Sequence, residues 1–249
     1  MVRGEVMLDK FTEYVKNYDL NNIDILSKYN HSLRVMKRMV KYAELLNYTS
    51  EEKEICQIVG LLHDIGRFEQ LKVYNTYVDY RSVDHADYSV EQLFNKGEIK
   101  LFCDKEEWYS IIRFAIKYHN KLELPESGNE QMNKIAKLLR DVDKMDVIYT
   151  IGVLKELNHE AKDLIISPEV MDCVFKHQSI DSKLAQNYND RLVVQMAFVF
   201  DIYNSIILSE YEDYLDSYYR VVCRGEQFKL IYEEIKKYIR ERLNNDERN

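Results

Sequence analysis

The sequence predicts an all-α protein, and two observations carry that prediction. Only seven glycines and two prolines occur in 249 residues, against roughly 17 and about 12 at average usage, so tight turns are scarce. Apolar residues recur at helical spacing, with no sustained alternation of the kind a sheet needs. At 46% hydrophobic, a chain of this length can bury a substantial core. A first helix is expected over about residues 6–18, and a second from near Tyr29 to near Asn47, with Val35, Met39 and Tyr42 on one side. In "TSEEKEICQIVGLLHDIG", Ser50 reads as the N-cap of a third, most apolar helix and Gly66 as its stop. Phe68 to Asp84 is polar and tyrosine-rich, a long loop leading to His85. Further helices are expected at about 86–96, 105–119 and 130–158, followed by a looser region around "IISPEVMDCVFKHQSIDSK". Helices near 184–217 and 224–244 complete the chain before a fraying tail. The organisation expected is a core, residues 1–158, with a helical extension, residues 159–249, packed on it.

A net charge of −8, spread without a basic block, argues against nucleic acid as the main partner. Cys56, Cys103, Cys173 and Cys223 are scattered without a CxxC pair, so reduced thiols are expected rather than a disulfide framework or zinc knuckle. The N-terminus lacks a signal-peptide apolar segment, and the greasiest stretch is broken by Gln195, Asp201 and Asn204. A cytoplasmic protein with no membrane partner is expected.

Six histidines occur, and four of them fall where a ligand set can converge. His31 opens an amphipathic helix, His63 and Asp64 end the third, His85 follows the loop, and His119 ends the helix containing "WYSIIRFAIKYHN". An acidic partner is offered by "LLRDVDKMDVIY". With the apolar face set by Ile135, Leu138, Leu139 and Val142 and a step of ~100° per residue, Asp146 falls near its centre, Asp143 on its edge and Asp141 opposite. Asp143 or Asp146 therefore faces inward, where a carboxylate is costly unless paired or bound to metal. His159 and His177 lie outside the pattern and read as surface or packing residues.

The order His31, His63-Asp64, His85, His119, Asp143 resembles the H...HD...H...H...D signature of the HD-domain superfamily of metal-dependent phosphohydrolases, over about residues 25–150. The resemblance implies an HD-domain helical bundle. It makes His31, His63, Asp64 and Asp143 the minimal metal set, with His85 and His119 added in members that hold two metals. "VDKMD" is similar to the family's "ADKLD", which selects Asp143 as the ligand and leaves Asp146 to orient a ligand or Lys144. One or two divalent transition metals, Mn, Fe, Co, Ni or Zn, suit imidazole plus carboxylate. The implied reaction is cleavage of a phosphate ester or anhydride of a small phosphorylated substrate, a nucleotide by family analogy, with a metal-activated water as nucleophile. Asp64, Arg67 and Lys144 are the catalytic candidates.

"HDIGR" looks like the family's "HDIGK", so Arg67 is expected to clamp phosphate oxygens, or else to pair at the surface with Glu69 or Glu91. No acidic residue stands at position 67, and Glu69 does not fit the spacing of members with a catalytic acid after HD. The "GYP" segment of cyclic dinucleotide hydrolases is absent. Tyr74, Tyr77 and Tyr80, with Lys72 and Arg81, are read as stacking on a nucleobase or as packing residues. "SEYEDYLDSYY" reads as a solvated helix face. Residues 160–249 are expected to shape substrate entry or form a homodimer contact. Two other functions remain open at this point: a diiron oxygenase of the HD type, and a non-catalytic nucleotide-binding module.

Overall fold

The computed structural model describes residues 3–156, 162 and 164–246, and no strand occurs among them. Two compact units divide the chain, Met1–Leu139 and Arg140–Asn249. The boundary expected at 158/159 and His159 lie outside the described residues.

In the first unit, α1 (Arg3–Val15) precedes a hairpin of α2 (Ile23–Leu45) and α3 (Ser50–Leu62). Asn47 ends α2 in the left-handed region, φ 56°, while the Tyr48 N–H donates back to the Ala43 carbonyl. Thr49, not Ser50, caps α3. Its hydroxyl accepts from Glu52 N–H, and the Glu52 carboxylate accepts from Thr49 N–H, a reciprocal pair that the Thr-x-x-Glu spacing makes and Ser50 cannot. Gly60 lets the two helices close up, since a Cβ there would lie 2.9 Å from Met36 Cα.

Gly66 is not a stop. The third helix ends at Leu62, the chain turns through His63–Ile65, and Gly66 opens α4 (Gly66–Tyr74). The expected long loop is therefore half helix: Phe68, Gln70 and Leu71 are buried, and Asn75 closes α4 with φ 53°. What remains is a strap, residues 75–84, with one 3-10 turn (Asp79–Arg81). Gln70 Nε2 holds it, donating to Asp79 Oδ1, Ser82 Oγ and the Val83 carbonyl at 2.9–3.1 Å. Then come α5 (His85–Val90), which runs on as a π-helical turn (Glu91–Asn95), and α6 (Tyr109–Tyr118), which follows a 3-10 turn at Glu106–Trp108.

The helix α7 (Glu130–Gly152) contains the division between the units. The second unit continues with α8 (Pro168–Phe175), α9 (Tyr188–Met196), α10 (Leu208–Val222) and α11 (Glu226–Asp246). The looser region holds a helix, α8, with Ser167 at its N-cap and Pro168 in its first turn, where proline's missing N–H costs nothing. Instead of one long helix over 184–217 there are two, α9 and α10. The acidic stretch is solvated on one side only, because Tyr211, Leu215 and Tyr218 of α10 are buried. All four cysteines are free, and no helix among the described residues is long and apolar enough to cross a membrane.

Candidate metal centre

The first unit brings His31, His63, Asp64, His85 and His119 together, all buried, and α2 begins at Ile23, so His31 lies inside its helix and does not open it. His31 comes from the middle of α2, His63 and Asp64 from the turn after α3, His85 from the first position of α5, and His119 from the residue that closes α6. The turn after α3 matters most, since it places Asp64 between two pairs of imidazoles. Asp64 Oδ2 lies 3.7 and 3.8 Å from the Nε2 atoms of His31 and His63, which are 3.1 Å apart. Asp64 Oδ1 lies 3.6 Å from the Nε2 atoms of both His85 and His119, also 3.1 Å apart.

The outer nitrogens fix the tautomers. His63 Nδ1 donates to the Gly60 carbonyl at 2.9 Å and His119 Nδ1 to the Ile116 carbonyl at 2.7 Å, because a carbonyl can only accept. His85 Nδ1 donates to Asp79 Oδ2 at 2.6 Å. With Nδ1 donating outward, these three rings can turn the Nε2 lone pair inward, as a cation requires. Burial, with the nearby Arg67 charge, pushes His85 down to about 4, so its ring is neutral at neutral pH. Asp64 Oδ1 is buried without a hydrogen bond, and so is Arg67 Nε, 3.7 Å from it. An acceptor with no donor among converging lone pairs fits a divalent cation. His31, His63 and Asp64, and again Asp64, His85 and His119, each form a group able to hold one.

Two charged residues invisible in the motif complete the electrostatics. Lys28 Nζ donates to Asp64 Oδ2 at 2.9 Å. Burial alone would raise the Asp64 carboxyl, but Lys28, His63, His119 and Arg67 outweigh it and hold it well below the usual carboxylate range. Asp79 likewise is lowered against its burial by His85, Arg67 and Gln70. Lys28 stands one turn before His31 on α2, a spacing that could have been read. Asp79 lies on the strap, and no pattern marked it.

Arg67 pairs with neither Glu69 nor Glu91. Its Nη1 donates to Gln70 Oε1, the Tyr77 carbonyl and Asp79 Oδ1, because α4 turns it under the strap, whereas Glu69 accepts from the Tyr18 hydroxyl. Tyr77 packs against Lys28 and Arg67 and donates from its hydroxyl to the Asp24 carbonyl. Tyr80 is exposed beside Arg81, and Tyr74 is exposed too.

In the second unit, Asp143 is half-buried on α7 and Asp146 is buried, accepting from the Thr150 hydroxyl. Asp141, expected on the far side of the apolar face, is fully buried. The break before α10 covers it, with the Tyr203 and Asn204 backbone N–H groups and Asn204 Nδ2 donating to its carboxylate. Burial pushes Asp141 up to about 7. Lys144 and Arg140 share one oxygen of Asp201. His177 packs on Phe200 and Tyr238, its Nε2 2.8 Å from Glu234.

This ordered His and Asp centre is matched by a family model, the HD domain, over residues 29–150, just under half of the chain. Residues 29–150 are an HD domain. The chain is also similar to the symmetrical bis(5'-nucleosyl)-tetraphosphatase of Staphylococcus aureus (strain NCTC 8325 / PS 47), 27% identical over 186 residues, covering 67% of this chain and 90% of the relative. No solved structure matches. The HD match and this relative place the chain among the metal-dependent phosphohydrolases, and HD domains bind divalent metals through groups such as those described.

Proposed function

We propose that the HD domain hydrolyses the phosphate chain of a nucleotide, with a dinucleoside tetraphosphate as the leading substrate, at a centre of two divalent transition metals. The observation that carries this reading is Asp64, which turns one oxygen toward His31 and His63 and the other toward His85 and His119. The tetraphosphatase relative supports the substrate class. Asp143 completes the ligand set by its match to the last position of the HD pattern. Such metals, when bound, make water nucleophilic near neutral pH and polarise the phosphoryl oxygen it attacks.

The chain's own residues supply the rest. Arg67, anchored through Nη1, keeps its Nε edge toward Asp64, where it can donate to a phosphate oxygen. Lys28 brings a second positive charge to the same carboxylate. Lys144, next to Asp143, is a further candidate cation, held by Asp201. Tyr80, exposed on the strap beside Arg81, is the candidate to meet a nucleobase.

Incubation of Mn(II)- or Co(II)-loaded protein with a dinucleoside tetraphosphate is expected to release two nucleoside diphosphates per substrate. Binding with no product under either metal would favour a non-catalytic module, and oxygen consumption by iron-loaded protein would favour an oxygenase.

A further inference from the structure

Of the three histidines whose outer nitrogen has an identified partner, two rest on the carbonyls of their own helices. His63 uses Gly60 and His119 uses Ile116, both three residues back. His85 differs: its Nδ1 rests on a carboxylate from the strap, Asp79 Oδ2, at 2.6 Å. The other oxygen of Asp79 accepts from Arg67 Nη1 at 2.9 Å and from Gln70 Nε2 at 3.1 Å. One carboxylate thus fixes both the direction of His85 Nε2 and the seat of the guanidinium whose Nε faces Asp64.

We propose that Asp79 is a positioning residue that ties the His85 and His119 half of the centre directly to the folded strap. This inference rests on the two-metal reading. Asp79 holds His85 in the tautomer whose Nε2 lone pair points to Asp64, and an ionised partner raises the donor strength of that lone pair. It also neutralises Arg67, which would otherwise repel a cation bound at Asp64 Oδ1. The Nδ1 of His63 is braced instead by the Gly60 carbonyl of α3. Loss of the Asp79 charge should therefore weaken one metal site and spare the other.

The test is calorimetric titration of metal-stripped wild type and Asp79→Asn with Mn(II), with circular dichroism to compare helix content. The expected result is two binding steps in the wild type and, in the variant, an unchanged first step with the second weakened by about 10–100-fold, the usual cost of removing a partner of a ligating histidine. Two unchanged steps in the variant would overturn the role of Asp79 and leave the two-metal centre intact. Both steps weakened alike would overturn it too, marking Asp79 as a general scaffold residue. Fewer than two steps in the wild type would overturn the two-metal reading itself. Should the variant not fold, long-range proton–nitrogen correlation of the metal-free wild type decides instead: His85 protonated on Nδ1 supports the proposal, and protonated on Nε2 contradicts it.

Discussion

Replacement of Asp64 with alanine is expected to abolish hydrolysis of the proposed substrate, by emptying both halves of the proposed centre at once. The carboxylate is shared by the two imidazole pairs, at 3.6–3.8 Å from all four Nε2 atoms. Without it each pair loses its shared carboxylate ligand, and the neighbouring Lys28 and Arg67 charges lose the anion that offsets them. Metal catalysis of this type supplies several kcal/mol of transition-state stabilisation, and each 1.36 kcal/mol is tenfold in rate. The expected loss is on the order of 10³-fold or more in turnover, read as nucleotide release at saturating Mn(II). A variant that keeps a tenth of the wild-type rate would mean that Asp64 is not the shared ligand.

Gly66→Ala is expected to be the most damaging single-methyl change in the first unit. A Cβ at Gly66 would stand 2.5 Å from the Ser89 backbone nitrogen and 2.9 Å from the Tyr88 carbonyl carbon. These are backbone atoms, so no side-chain rotation relieves the clash, and α4 and α5 must move apart. The Gly66 N–H, which donates to Ser89 Oγ at 3.0 Å, would be strained with them. Overpacking of this kind costs about 1–3 kcal/mol, and at ~2–4 °C per kcal/mol for a protein of this size the melting temperature should fall by about 2–12 °C. Because His85 is the first residue of α5, the same displacement should weaken its half of the centre. Thermal unfolding of the two proteins side by side checks the first effect; an unchanged melting temperature would show that the helices do not approach this closely.

Much of this was legible in the sequence because it rests on local periodicity and ordered ligands. The helical class and the presence of α2, α3 and α6 follow from patterns within single helices, although α2 starts at Ile23 and not near Tyr29; the grouping of His31, His63, Asp64, His85 and His119 is what the resemblance to the ordered HD pattern implies. Other features were hidden for identifiable reasons. Helix α4 buries only Phe68, Gln70 and Leu71 besides its opening glycine, too few apolar residues to register as a period, and its buried glutamine is satisfied only by the strap. Helical spacing puts Asp141 outward if α7 has one covered face, whereas the irregular segment before α10 buries it through three donated hydrogen bonds. Asp79 belongs to no helix face and no motif. Its importance comes wholly from the fold, which brings the strap to His85 and Arg67.

Elemental analysis of wild-type protein purified without chelator decides whether the His and Asp cluster is a metal centre with Asp64 shared between two ions. About two transition-metal ions per chain, and almost none in Asp64→Ala, is the result expected; a wild type that holds no metal, and acquires none from Mn(II), Co(II), Ni(II) or Fe(II), would contradict it.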